Sequence, residues 1–389
     1  MSRHIDSLTP AQLCNRDVLL DLFPYLPEAD LARAALVCRA WSVPARMSLY
    51  DTISFNTKSP RVTQLTWTLR TCPELRKIVR HLTYTSHYGD HEPPDWLALL
   101  PEGSLRTFNW GSKTMMICPG VILRLPAVRA VSKLVLHIHP WSETEDVWSA
   151  VQDMMHSPSL RSLSVGPFVA KHVSFPSGLR RFSVFAYSYT EQVKQLVMDP
   201  NTLLERFDAH IRNSDLCEAR ALMQDLRQYQ TRLKHLTLIS SVHWECMQIM
   251  EESLCSFPFL ETLVCSSAVY ASTLIFSLPP TIRSLTMIEG AFALHRSLNF
   301  TRVIRRCLAS AEGESYQRRL PERITIVDVC MYDWELARPV KWEFAFAHRC
   351  MNELAGACTE AGVRLDWVGV KGEEYDHLQP YGIFRPYLV

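Results

Sequence analysis

Glycine is scarce in this chain, with 13 residues in 389. Loops that cradle phosphate are built from glycine, because a residue without a side chain lets the backbone close around an anion. No G-x-x-x-x-G-K-[ST] loop, no G-x-S-x-G elbow and no H-E-x-x-H pair occurs. An excess of one charge is also lacking: 41 Lys and Arg face 40 Asp and Glu, a net charge of +1. Bulk electrostatics therefore steer the chain to neither nucleic acid nor a membrane surface. Twelve cysteines are scattered without a single C-x-x-C pair. Zinc modules need close pairs, because each pair reaches one ion from one turn. His137 and His139 share a strand face, and His87, Asp90 and His91 cluster, but neither set is completed by a further ligand at convincing spacing. No apolar run approaches the roughly 18 residues of a spanning helix. The first residues, MSRHIDSLTP, lack the apolar centre of a signal peptide. These absences predict a protein without cofactor or metal, not an enzyme. Free buried thiols in the cytoplasm or nucleus are expected.

What is present begins at the N-terminus. Apolar residues make up 47 % of the chain, enough for a sizeable core. Val18, Leu19, Leu22, Phe23 and Leu26 form one helical stripe. Asn15 is a candidate N-cap, and Asp17 suits the first turn. Pro24 removes a donor and disfavours helix at Phe23, so the helix ends or kinks there. Asp30 is a candidate cap for a second helix with Leu31, Ala34, Ala35, Cys38 and Trp41 on one face. Ser42 is a candidate cap for a third, with Pro44 in its first turn and Ala45, Leu49 and Tyr50 on its buried side. Three helices in about 40 residues cannot bury such stripes against one another alone. Their surface meets either a partner or the domain that follows.

The order D-V-L-L-D-L-F-x-Y-L, then D-L, then Leu36-Val37-Cys38-Arg39-Ala40-Trp41, then L-Y, resembles the F-box over residues 13–55. Cys14-Asn15 stand where Leu-Pro is usual, and Pro24 stands where many members carry a small polar residue. The resemblance implies docking on the Skp-type adaptor of SCF ubiquitin ligases and, through it, on a cullin scaffold. Carried over by motif, the adaptor-facing positions are Leu19, Leu22, Phe23, Leu26, Leu31, Val37, Cys38 and Trp41.

Beyond Phe55 a polar stretch, NTKSPR, reads as a short linker or a first turn. Then a unit h-x-x-h-x-h, with h apolar, recurs. It starts at Val79, Leu105, Val131, Leu160, Leu179, Leu204, Leu233, Leu260 and Ile282. Successive starts lie 26, 26, 29, 19, 25, 29, 27 and 22 residues apart. Ile324–Val329 and Val363–Val368 read as later copies. The last two apolar positions alternate, as in a strand with one buried face. Helix-like patterns fill the intervals, at Glu145–Met155, Thr190–Met198, Asp215–Tyr229 and Trp244–Cys255. Phe292–Ser310 and Trp342–Glu360 read as further amphipathic helices that close the end of the array.

The period and motif resemble leucine-rich repeats. The expected fold class is α/β: a three-helix F-box, then an irregular leucine-rich-repeat solenoid with a parallel sheet on the concave face and helices outside. The expected domains are a polar tail over 1–12, the F-box-like module over 13–55, and the solenoid with its C-terminal cap over 56–389. The asparagine that often closes each turn is absent; Lys113, His139, Phe168, Arg212, Ser241, Ala268 and Gly290 stand there. On the concave face the middle units gather Arg181, Phe185, Arg206, Asp208, His210 and His235, with Tyr187 and Tyr189 nearby. Arginine and aromatics on an open surface suit an unidentified target protein, acidic or phosphorylated segments included. Together the two resemblances imply the substrate-recognition subunit of an SCF-type ligase, and the balanced charge points to no nucleic-acid or membrane partner. The alternative is a scaffold or binding protein outside any ligase, whose N-terminal helices only cap the solenoid.

Overall fold

Three helices open the described part of the chain in the computed structural model, which describes residues 16–86, 93–112, 119–137, 145–166, 178–186, 203–211, 216–240, 252–266, 269, 274–289, 301–302, 304–305, 320–328 and 343–369. The first helix, α1 (Arg16–Leu22), carries Asp17 in its first turn. It ends where Pro24 forbids continuation, and Phe23–Tyr25 tighten into a 3-10 turn. The second helix, α2 (Glu28–Ala34), starts after Pro27, so Asp30 lies inside its first turn rather than at the cap. There Asp30 pairs with Arg33 at 2.9 Å. The third, α3 (Arg39–Asp51), starts three residues before Ser42. Cys38 is fully extended, so the chain re-enters helix at once, and Pro44 falls within α3 instead of its first turn. The candidate cap Asn15 lies outside the described residues.

The chain divides into two compact units, Met1–Leu160 and Arg161–Val389. In the first, α3 runs without a break into β1 (Thr52–Asn56). Parallel strands β2 (His81–Ser86), β3 (Thr107–Ser112) and β4 (Lys133–His137) follow in sequence order. Parallel neighbours require a crossover connection. Here α4 (Val62–Thr71), α5 (Pro73–Arg76), α6 (Asp95–Ala98), α7 (Pro119–Leu123) and α8 (Pro126–Arg129) lie in those connections. Helix α9 (Glu145–Met155) follows β4. The sequence reads residues after Phe55 as the start of the array, yet Ile53 and Phe55 are already buried in it. Phe55 stacks on Tyr84 with ring centroids 5.6 Å apart and meets Trp96 edge-on at 5.5 Å.

Among its described residues the second unit repeats the plan with eight parallel strands. They are β5 (Ser162–Gly166), β6 (Arg181–Ala186), β7 (Arg206–Ile211), β8 (His235–Ser240), β9 (Thr262–Ser266), β10 (Ser284–Glu289), β11 (Arg323–Asp328) and β12 (Arg364–Gly369). Each pairs with the next in sequence order. Helices α10 (Leu216–Leu226), α11 (Leu274–Ser277) and α12 (Glu343–Glu360) lie between them. Gly362 ends α12 at φ +70°, where a side chain would be strained. Its N–H and that of Val363 return to the carbonyls of Thr359 and Cys358, closing the helix.

One hydrogen-bond device sets the rungs. The carbonyl of the residue after the first apolar position accepts two N–H groups from the next rung. Arg161 receives Arg180 and Arg181, Arg180 receives Glu205 and Arg206, and Glu205 receives Lys234 and His235, at 2.8–3.1 Å. The apolar positions sit in the core: Leu179, Phe182 and Val184, or Leu233, Leu236 and Leu238, are almost wholly buried. The last two copies differ in phase from the sequence reading. Ile324 and Ile326 align with Leu285 and Met287, and Leu365 and Trp367 align with Ile324 and Ile326. Apolar residues on both faces of Ile324-Thr-Ile-Val327 make the period ambiguous.

Candidate functional site

Two places carry the residues singled out by the sequence. The first is the helical module. Leu19, Phe23, Leu31, Ala34 and Ala45 form its core, with Trp41, Ala35 and Leu49 packed against them. Phe23 meets Trp41 edge-on, centroids 5.6 Å apart. Three of the eight adaptor-facing candidates, Leu19, Phe23 and Leu31, thus face inward. The stripe is split: α1 turns one edge to its neighbours and the other to solvent. Leu22 is 55 % exposed and Val37 53 %, and Leu26 also faces solvent. Cys38 and Trp41 are half-buried. Four exposed apolar residues were not among the candidates: Val18, Tyr25, Leu36 and Val43. Leu36, 87 % exposed, sits in the turn between α2 and α3. Its place in an apolar run with no helix period available was the signal for it.

The module is held to the first rung. The N–H of Arg80 donates to the carbonyl of Asp51 at 2.9 Å. Tyr50, at the end of α3, is half-buried; burial pushes its phenol pKa up, and nearby Cys72 adds to this. A groove of about 1470 Å³ is lined by Leu26, Leu31 and Leu49 of the module and by Ile53, Val62 and Leu65 of the first rung.

The second place is the sheet face opposite the core on β5–β8. Arg181, Arg206 and His235 stand in register, as do Ser183, Asp208 and Thr237, then Phe185, His210 and Ile239. The three rows expected from the motif are therefore real neighbours. Their exposure differs from the expectation of an open face. Arg181 is exposed, and Arg206 and His235 are half-buried, but Asp208 and His210 are buried at 7 % and 9 %. Thr237, Thr286 and Thr325 are buried as well. In-register rows place a neighbour on each side at a strand spacing of ~4.8 Å, so short side chains are shielded by longer ones. The side chain of Phe185, and the candidates Tyr187 and Tyr189, lie outside the described residues.

Arg206 donates from Nε to Oδ2 of Asp208 at 2.8 Å. Asp208 Oδ1, Ser183 Oγ and Ser164 Oγ are buried without hydrogen-bond partners. His235 has a lowered pKa, chiefly from burial and then from the adjacent Arg206 and Arg181, against Glu261 and Asp208. On the rim, Arg180 pairs with Glu205 at 3.2 Å. At the end of the unit, desolvation would raise the pKa of Asp366, but hydrogen bonds from Arg323 and Arg364 hold it below the usual range.

Among the described residues, no group of three His, Cys, Asp or Glu is placed to hold a metal ion. His137 lies on β4, where burial lowers its pKa to about 4. His87, Asp90, His91 and His139 lie outside the described residues, as do the seven turn positions from Lys113 to Gly290. No helix among the described residues is long and apolar enough to cross a membrane.

Compared with known families, residues 16–56 match the F-box-like model. The match spans α1, α2, α3 and β1, so it ends with the first strand of the sheet. No curated protein matches the chain.

Proposed function

We propose that this chain, which carries an F-box-like domain at its N-terminus, is the substrate-recognition subunit of an SCF-type ubiquitin ligase. The observation that carries the reading is the exposed apolar crown of Leu22, Leu26, Leu36 and Val37 over a core that is already closed. A small module keeps such a surface in water only at a cost, which a partner removes. The Skp-type adaptor covers that crown and links the chain to a cullin. The parallel strands and their connections form an irregular leucine-rich-repeat solenoid that holds a target protein. Ubiquitin transfer belongs to other subunits, and this chain supplies proximity and orientation. The place of action is the cytoplasm or nucleus.

Co-purification of the full chain with a Skp-type adaptor tests this. Leu22→Asp combined with Val37→Asp should abolish the complex while the melting temperature holds. Trp41→Ala is a poorer probe, because Trp41 also packs on Phe23. A complex that survives the double change would overturn the assignment. The second reading is a scaffold whose helices cap the first rung, and the unbroken passage from α3 into β1 favours it. In that case wild type and double variant alike fail to bind the adaptor.

A further inference from the structure

The N-terminal ends of β5–β8 collect positive charge within an otherwise neutral chain. Arg161, Arg180, Arg181, Arg206 and Lys234 stand there against Glu205 and Asp208. Glu205 takes Arg180 and Asp208 takes Arg206. Arg181 is exposed and forms no ion pair among the described residues. Two residues further along the strands lies the row Ser164, Ser183, Asp208, in which three polar atoms lack partners. Asp208 is more than nine-tenths buried, so its Oδ1 is an acceptor shielded from solvent with no donor. Such a group is costly unless a ligand or water supplies one.

The two needs point to one chemistry. Arg181 calls for an anion, and Asp208 Oδ1, one strand over and two residues further along at a diagonal of roughly 8 Å, calls for an N–H donor. A simple anion satisfies the first and is repelled by the second. An extended peptide carries both, because its backbone N–H groups recur every ~3.3 Å and so two or three residues span the roughly 8 Å diagonal from Arg181 to Asp208. We infer that β5–β8 hold an extended acidic segment of a partner protein, with an Asp or Glu carboxylate on Arg181 and a nearby backbone N–H donated to Asp208 Oδ1. Ser183 and Ser164 offer their hydroxyls to the carbonyls of the same segment. The inference rests on the target-holding role proposed above. The pKa of His235 is lowered chiefly by burial, and Arg206 and Arg181 lower it further.

The test uses the full-length chain and degenerate peptides of about twelve residues, long enough to cross four strands. One central position is fixed as Glu, Gln, Arg or phosphoserine. Wild type should retain the Glu pool over the Gln pool on the order of fivefold, as one charge-assisted hydrogen bond implies. Arg181→Glu should reverse the choice toward the Arg pool, a gain that misfolding does not produce. Arg302→Glu, an exposed change elsewhere in the same unit, should leave the preference intact. Equal retention of Glu and Gln by wild type overturns the inference, as does an unchanged preference in Arg181→Glu. Selection of phosphoserine alone overturns the choice of a carboxylate. Adaptor co-purification of Arg181→Glu, measured in parallel, separates this outcome from failure of the ligase reading.

Discussion

Leu22 and Phe23 are adjacent and equally apolar, yet they have opposite parts. Phe23 is 3 % exposed and packs on Trp41; Leu22 faces water. Phe23→Ala should therefore cost about 3–5 kcal/mol in a denaturant titration, as large-to-small changes in a closed core do. Leu22→Asp should leave the same titration unchanged and appear only in adaptor binding. His137 gives a prediction in pH. Its folded pKa of about 4 lies below the usual 6.5, so between these values the unfolded chain binds more protons. Its contribution to stability is complete above pH 6.5 and is lost as pH falls toward 4. Urea midpoints over that range should drop, and His137→Gln should flatten the slope. The cysteines differ too. Cys255 is exposed, whereas burial pushes the Cys358 thiol up to about 11. Iodoacetamide at pH 8 should label Cys255 in the native protein and spare Cys358 until denaturant is added.

The strand β1 decides how the module is mounted. Its Phe55 fills the space between Tyr84 and Trp96. Phe55→Ala should destabilise the first unit by about 3–5 kcal/mol and speed amide exchange in β1 before it does so in β3. This strand is legible in the sequence, though masked by the helix before it. Tyr50-x-x-Ile53-x-Phe55 is a copy of the rung motif, hidden because Tyr50 also completes the stripe of α3. The nine rungs from Val79 to Ile282 were readable because each pairs an inward residue with an alternating strand. In β11 the alternation fails, and there the phase was misread. Helix starts were misread where a good cap residue, Asp30 or Ser42, lay inside a helix begun earlier at Glu28 or Arg39. Backbone direction set by Pro27 and Cys38 prevailed over side-chain preference.

On the scale of the molecule, the two proposed tasks fall in different units, adaptor docking in the first and target holding in the second. The absence of any residue between Asp51 and Thr52 joins the module stiffly to the first rung. A Gly-Ser insertion of about six residues there would act as a flexible coil. On the proposed reading it should leave adaptor affinity unchanged and slow ubiquitylation of a bound target several-fold, since orientation is what the chain contributes. Equal rates with and without the insertion would show that the stiffness has no such role.

Sequence alone determined the kinds of element and their order, because helix stripes, strand alternation and proline breaks act over a few residues. It also determined which rows share a register from β2 to β10, since each of those rungs begins two residues after an inward apolar position. Which side of the first stripe meets water, and how deep Asp208 and His210 lie, were decided only by the tertiary structure. Burial depends on what neighbouring helices and strands cover, and those neighbours are far away along the chain. The unpartnered Asp208 Oδ1, diagonal to Arg181, arises in the same way, from β6 and β7 lying side by side.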